Sequence, residues 1–184
     1  MCDEFEAQLD ALSALDDIKK ANDALLVLRN ENSPQHAEES RQRFNCGKLK
    51  SDLKKTTAFV KKVRVITSEG LLQCIRDVQT LNLTLYISEI VDAIFETNFK
   101  ATDVPNVIKL CNELHLRYSD FTSPLLAKLK ESLMAPPDNE DSGSGKRKRI
   151  QIRMILELFQ IGIFTDENFF STLLKDLTGK GPSR

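Results

Sequence analysis

With 184 residues, 41% of them hydrophobic and 29% charged, the chain is long enough for one sizeable core and too apolar to read as intrinsically disordered. It has no Trp, seven Gly and six Pro, and this shortage of breakers favours long helices over a strand-and-turn architecture. The formal net charge of -1 conceals a split: residues 1–40 hold ten acids and three bases, whereas 48–64 hold seven bases and one acid, Asp52.

In chain order, Phe5, Leu9, Leu12, Leu15, Ile18, Ala21, Leu25 and Leu28 recur every three or four positions and predict an acidic amphipathic helix within residues 1–29. Asp3 and Glu6 have capping-box spacing, and the stretch from Asn30 to Pro34 is expected to stop the helix. Residues 30–47 read as a polar linker with one turn of helix around Ala37 to Phe44. A second helix is predicted over 48–66, with Leu49, Leu53, Thr56, Val60 and Val63 on one side and lysines on the other.

Further helices follow at 68–80 (Leu71, Leu72, Ile75, Val78) and 85–97 (Ile87, Ile90, Val91, Ile94), with Asn82 or Thr84 as a cap between them. Asp103 and Pro105 open another, whose stripe runs from Val104 through Cys111, Leu114 and His115 to Tyr118. Ser123-Pro124 opens the next, with Leu125, Leu126, Leu129 and Leu133 inward. Residues 135–147 read as a flexible acidic loop ending in the basic run Lys146 to Arg149, which leads into a helix to about Gln160. Thr165 or Asp166 caps a last helix through Phe169, Phe170 and Leu173, and 179–184 is a tail. A stack ending there leaves its last apolar face, around Phe169, Phe170 and Leu173, uncovered. Residues 48–178 thus form an all-α helical-repeat domain, for which periodicity admits a HEAT-like solenoid of antiparallel pairs or a compact bundle.

Catalytic chemistry is not legible. The two histidines are isolated, His36 in the polar stretch and His115 on an apolar stripe, where a core role outweighs a ligand role. No Cys or His pair has zinc spacing, and no Gly-rich phosphate loop is present. The sequence calls for no enzyme, cofactor, metal or small-molecule substrate. Neither a secretory signal nor an apolar run long enough for a bilayer is seen, so no membrane partner is expected and the location is read as intracellular. Cys111 reads as core.

Three features are candidates for binding. Lys50, Lys54, Lys55, Lys61 and Lys62 form a basic face suited to RNA or an acidic partner, with Phe59 as the one aromatic among them. The acidic arm could equally fold back on its basic neighbour. The run 146–149 reads as a nuclear-localisation patch or as a solvated lead-in. Arg149, Arg153 and Glu157, spaced by four, read as a partner clamp or as intrahelical pairing.

Four blocks carry a resemblance. SDLKKTTAFVKKVRVIT (51–67), LNLTLYISEIVDAIF (81–95), LCNELHLRYSDF (110–121) and RMILELFQIGIFTD (153–166) resemble, in order, the first middle domain of up-frameshift-two proteins, factors of nonsense-mediated mRNA decay. The resemblance includes Tyr118, Arg153 and Glu157, and implies the fold of the middle domain of initiation factor four-gamma, a crescent of helix pairs, incomplete here at its C-terminus. It also implies a non-catalytic scaffold, cytoplasmic or perinuclear, whose family partners are the up-frameshift-one helicase and up-frameshift-three. Those contacts are expected through segments outside this chain. The alternative reading is an RNA- or helicase-binding module of translation initiation, with weak RNA binding through the lysine face.

Overall fold

A computed structural model describes residues 2–44, 49, 51–66, 68–97, 99–135 and 144–177. Among these residues the chain forms α1 (Cys2–Glu31), α2 (Pro34–Arg43), α3 (Leu53–Val63), α4 (Ser68–Thr80), α5 (Ile87–Glu96), α6 (Val104–His115), α7 (Thr122–Met134), α8 (Ser144–Gln160) and α9 (Glu167–Leu177), with no strand. Helix α3 packs on α5, α5 on α7 and α7 on α9, while α4 packs on α6 and α6 on α8. The odd helices therefore make one layer and the even helices the other. Stacked antiparallel pairs, rather than a closed bundle, are what such next-but-one packing produces.

The stripes in the middle of the chain explain the stack. Ile87, Ile90, Val91 and Ile94 of α5 and Leu125, Leu129 and Leu133 of α7 are all buried, at the i, i+3, i+4 spacing that keeps one helix face inward. Helix α6 has neighbours on both sides and buries Val104, Val107, Ile108, Leu110, Cys111 and Leu114. Each fully buried aliphatic or Phe side chain contributes about 1.5–3 kcal/mol by leaving water. Gly162, at φ 78°, closes α8: Ile163 N donates to Leu158 O at 3.0 Å and Gly162 N to Phe159 O at 3.0 Å. That pairing needs a left-handed residue, which glycine supplies without strain.

Several expectations are corrected. The stretch from Asn30 to Pro34 does stop α1, which ends at Glu31, but Pro34 also begins α2, where its fixed φ suits the first turn and its missing N–H is not needed. The polar stretch thus carries a ten-residue helix. Helix α3 starts at Leu53 rather than 48, because Asp52 is extended and its Oδ1 accepts from Lys55 N at 3.1 Å. Its inward residues are Thr56, Phe59 and Val63, while Leu53 is exposed. In α4, Cys74 takes the core position and Leu72 faces out.

Residues 144–147, expected in a loop, are helical, and Asp166 caps α9, its Oδ1 accepting from Phe169 N at 3.3 Å. Phe169 and Leu173 are buried, and Phe170 packs edge-on against Phe159 and Phe164, so the face expected to be bare is filled. Lys130 of α7 closes this cluster, bound to Asp166 at 2.7 Å with its ammonium 5.0 Å from the Phe164 ring centre. The side chains of Asp3, Phe5 and Glu6, residues 136–143 and the tail 179–184 lie outside what is described.

Residues 29–44 form a strap that crosses the stack backwards. Arg29 Nη1 donates to Gln160 O at 3.3 Å, at the end of α8. Asn32 Nδ2 donates to Ile161 O at 2.9 Å and to Asn112 Oδ1 of α6 at 2.6 Å. Arg41 donates to His115 O, the last carbonyl of α6, through Nε at 3.3 Å and Nη2 at 3.2 Å. Phe44 then meets Tyr118 edge-on at 5.6 Å, with the Arg117 guanidinium 5.4 Å from the centre of the Phe44 ring. The strap thus marches from the third pair to the second and on to the Tyr118 turn.

Candidate interaction surface

The lysine face is built by the cap at Asp52, which fixes where α3 starts and hence which way each residue points. With Phe59 and Val63 inward, Lys54, Lys55, Lys61 and Lys62 are exposed. Lys62 Nζ pairs with Asp77 of α4 at 2.9 Å, so its charge is partly spent inside the molecule. Lys54, Lys55 and Lys61 have no ion pair among the described residues. Lys54 and Lys61 lie two turns apart, about 10 Å along the axis. Arg64 at the end of the helix is tied to Glu96 at 2.9 Å. Lys50 lies outside the described residues. Phe59 is fully buried and cannot stack on a base, so the face offers charge without a reading element.

Two members of the second basic cluster are engaged internally, while Lys146 and Arg149 are exposed. Arg147 Nη2 donates to Glu96 O, the last residue of α5, at 3.5 Å, and Lys148 Nζ to Ala135 O, the C-cap of α7, at 2.5 Å. Cations belong at helix C-termini, where unpaired carbonyls and the dipole concentrate negative charge. Arg153 Nε donates to Glu157 Oε1 at 2.7 Å and its Nη1 to Ala101 O at 2.8 Å. Arg153 and Glu157 therefore pair within α8 and fasten it to the turn before α6. The bridge is part-exposed, and an exposed i, i+4 pair contributes only about 0.3–0.5 kcal/mol.

Tyr118 is a buried clamp: its hydroxyl donates to Leu81 O at 3.0 Å and accepts from Leu83 N at 3.1 Å, fixing the connection between α4 and α5. His115 sits under the strap. Arg41 can only donate, so His115 Nε2 at 3.3 Å is the acceptor and the ring proton is on Nδ1, directed at Thr122 Oγ1 at 2.7 Å. Burial, and then the Arg41 charge, lower its pKa to about 4, which keeps the ring neutral. Burial pushes the Cys111 thiol up to about 12, so it packs as an apolar group.

Among the described residues no group of three or more His, Cys, Asp or Glu could hold a metal ion. An open depression of about 450 Å³ lies along the strap, lined by Val27, Asn30, Glu31, His36, Ser40 and Leu116. The strap anchors Arg29, Asn32 and Arg41 escaped the sequence reading. The one available signal was Asn112, an amide inside the apolar run of α6, which is fully buried and needs a polar partner.

Residues 46–180 match the MIF4G domain family. The chain is 33% identical over 175 residues to "Regulator of nonsense transcripts UPF2" of Arabidopsis thaliana, covering 92% of this chain and 14% of that protein. It is 38% identical over 151 residues to "Regulator of nonsense transcripts 2" of Homo sapiens, covering 82% and 12%. It superposes on the crystal structure of the first MIF4G domain of human nonsense mediated decay factor UPF2 with a TM-score of 0.79 and 33% identity, covering 92% of this chain and 55% of that one. The N-terminal MIF4G domain of Saccharomyces cerevisiae Upf2 gives 0.66 and 25%, covering 80% and 50%. The chain thus spans about an eighth of its curated relatives and about half of the solved domains.

Proposed function

The chain belongs to the MIF4G domain family, its homologues being UPF2 proteins, and on that premise we propose that it is a non-catalytic scaffold of nonsense-mediated mRNA decay. The observation that carries this is the 33% identity across 92% of the chain to a regulator of nonsense transcripts. The physical character of the surface agrees: charge and rigid helix ends, with the described polar groups of the interior serving the fold. Its partners are protein components of the decay machinery, its place the cytoplasm or its perinuclear part, and it needs no cofactor. Contacts equivalent to those with the up-frameshift-one helicase and up-frameshift-three fall to segments outside this chain.

Depleting the protein that carries this domain and following a premature-stop reporter mRNA tests the role. Its half-life is expected to lengthen while that of the same mRNA without the early stop is unchanged; an unaltered reporter contradicts the proposal.

A second reading, an RNA- or helicase-binding module of translation initiation, is favoured by the exposed Lys54, Lys55 and Lys61, which have no ion pair among the described residues. Mobility-shift titrations at several salt concentrations separate the two. If the face tracks phosphates, Lys54→Glu with Lys61→Glu abolishes binding, and substituting both by Gln lowers the salt slope by about two. Binding indifferent to both pairs assigns RNA elsewhere.

A further inference from the structure

The odd-layer helices bring their C-terminal ends to one edge of the stack, and cations collect there. Arg64, at the end of α3, pairs with Glu96, at the end of α5, at 2.9 Å. Arg147 of α8 donates to Glu96 O at 3.5 Å, and its neighbour Lys148 donates to Ala135 O, the C-cap of α7, at 2.5 Å. The ends of α3, α5 and α7 therefore lie side by side. Further along α8, Arg153 Nη1 reaches Ala101 O, next to Lys100, at 2.8 Å. Lys100, Lys146 and Arg149 are exposed and have no ion pair among the described residues.

A bond to a carbonyl places a cation without cancelling it, and a helix end carries only about half a negative charge. Three acids beside the cations are already engaged: Glu96 with Arg64 at 2.9 Å, Glu157 with Arg153 at 2.7 Å, and Asp103 with the Lys100 N–H at 3.0 Å. In a chain of net charge -1 this concentration of positive charge is local.

Two features select the partner. No aromatic side chain is exposed among the described residues, so the edge has no platform on which nucleic-acid bases could stack. Its cations also stand on the ends of neighbouring helices, which pack about 8–10 Å apart. An acidic peptide in the polyproline conformation returns every third side chain to the same side, at about 9 Å. The arginine fork then meets a carboxylate with two parallel bonds.

We infer that this edge, formed by Lys100, Lys146, Arg147, Lys148, Arg149 and Arg153, docks an extended acidic segment of a partner protein laid across the ends of α5 and α7. The inference rests on the surface and not on the role in decay, so its failure leaves that role standing.

The test is fluorescence anisotropy on the whole chain with three labelled probes: a peptide of Glu-Pro-Pro repeats, the same peptide with Gln for Glu, and oligouridine RNA. The glutamate peptide is expected to bind and the glutamine peptide is not. Lys146→Glu with Arg149→Glu should weaken binding about tenfold, and Lys146→Gln with Arg149→Gln about threefold. The neutral pair carries the test if the reversed pair does not fold. Lys54→Glu with Lys55→Glu makes the same charge change near the start of α3, more than a Debye length of about 10 Å from its end, and should alter binding less than about twofold. No binding of the glutamate peptide, equal binding of the glutamine peptide, or an equal loss with the α3 pair overturns the inference. Oligouridine bound more tightly than the peptide, and lost with Lys146→Glu and Arg149→Glu, also overturns it, assigning the edge to a phosphate backbone. So does a peptide that binds only after Asp138, Glu140 and Asp141 are changed to Asn or Gln, because the edge then belongs to the chain's own acidic stretch.

Discussion

Between α5 and α7 the interface is made of Ile, Val and Leu at helical spacing, whereas between the strap and the stack it is made of Asn and Arg side chains on helix-end carbonyls. The first kind of contact joins elements close in sequence; the second joins residues 74 to 131 positions apart. A stack of repeats is held pair by pair and can come apart pair by pair. A strap that touches the third pair, the second and the Tyr118 turn adds long-range closure to that one-dimensional design. The difference teaches that the layers supply stability and the strap supplies cooperativity.

Substitutions should separate these contributions. Leu158→Ala empties a fully buried site of α8 and should cost about 2–5 kcal/mol in chemical denaturation, the largest effect expected. Acid attacks the strap. The pKa of His115 is lowered from 6.5 to about 4, so the unfolded chain binds its proton first as pH falls. Its contribution is complete above pH 6.5 and is lost between there and pH 4, by about 3 kcal/mol at most. The fall should shrink in His115→Asn when both proteins are titrated by thermal melts. Asp166, held down by its hydrogen bond to Lys130, adds acid sensitivity only at lower pH, which keeps the two separable. Tyr118→Phe removes the clamp and its hydrogen bonds to Leu81 O and Leu83 N, for a cost of about 1–3 kcal/mol. Leu12→Ser, on the free part of α1, should stay within about 0.5 kcal/mol, and a larger loss would mean that α1 is packed in solution.

The stack was legible because α5, α6 and α7 bury regular stripes, and because four blocks in order resemble one family. Helix α2 was not, since Ala37 is its one buried residue and a helix without a stripe has no period to detect. The stripe assigned to α1 was misleading for a geometric reason. Leucines three apart slip around the axis, and nine residues at about 100° each put Leu9 and Ile18 on opposite sides. Of the candidate site, the exposure of Lys54, Lys55 and Lys61 followed from the apolar positions opposite them, but the loss of Lys62 to Asp77 required knowing that α4 lies beside α3. Arg147 and Lys148 of the basic run looked like solvated charge because their partners, the carbonyls of Glu96 and Ala135, belong to the ends of other helices. The backbone groups that Arg29, Asn32 and Arg41 satisfy are invisible in a sequence for the same reason.

Native-state hydrogen exchange on the Asn32→Ala, Arg41→Ala double variant tests most directly whether the strap binds the stack together. If it does, protection falls not only in α1 and α2 but also together at the end of α8, at the end of α6 and at Leu83, whose amide is held by Tyr118. Loss of protection confined to residues 2–44, with α3 to α9 exchanging as in the wild type, would contradict it.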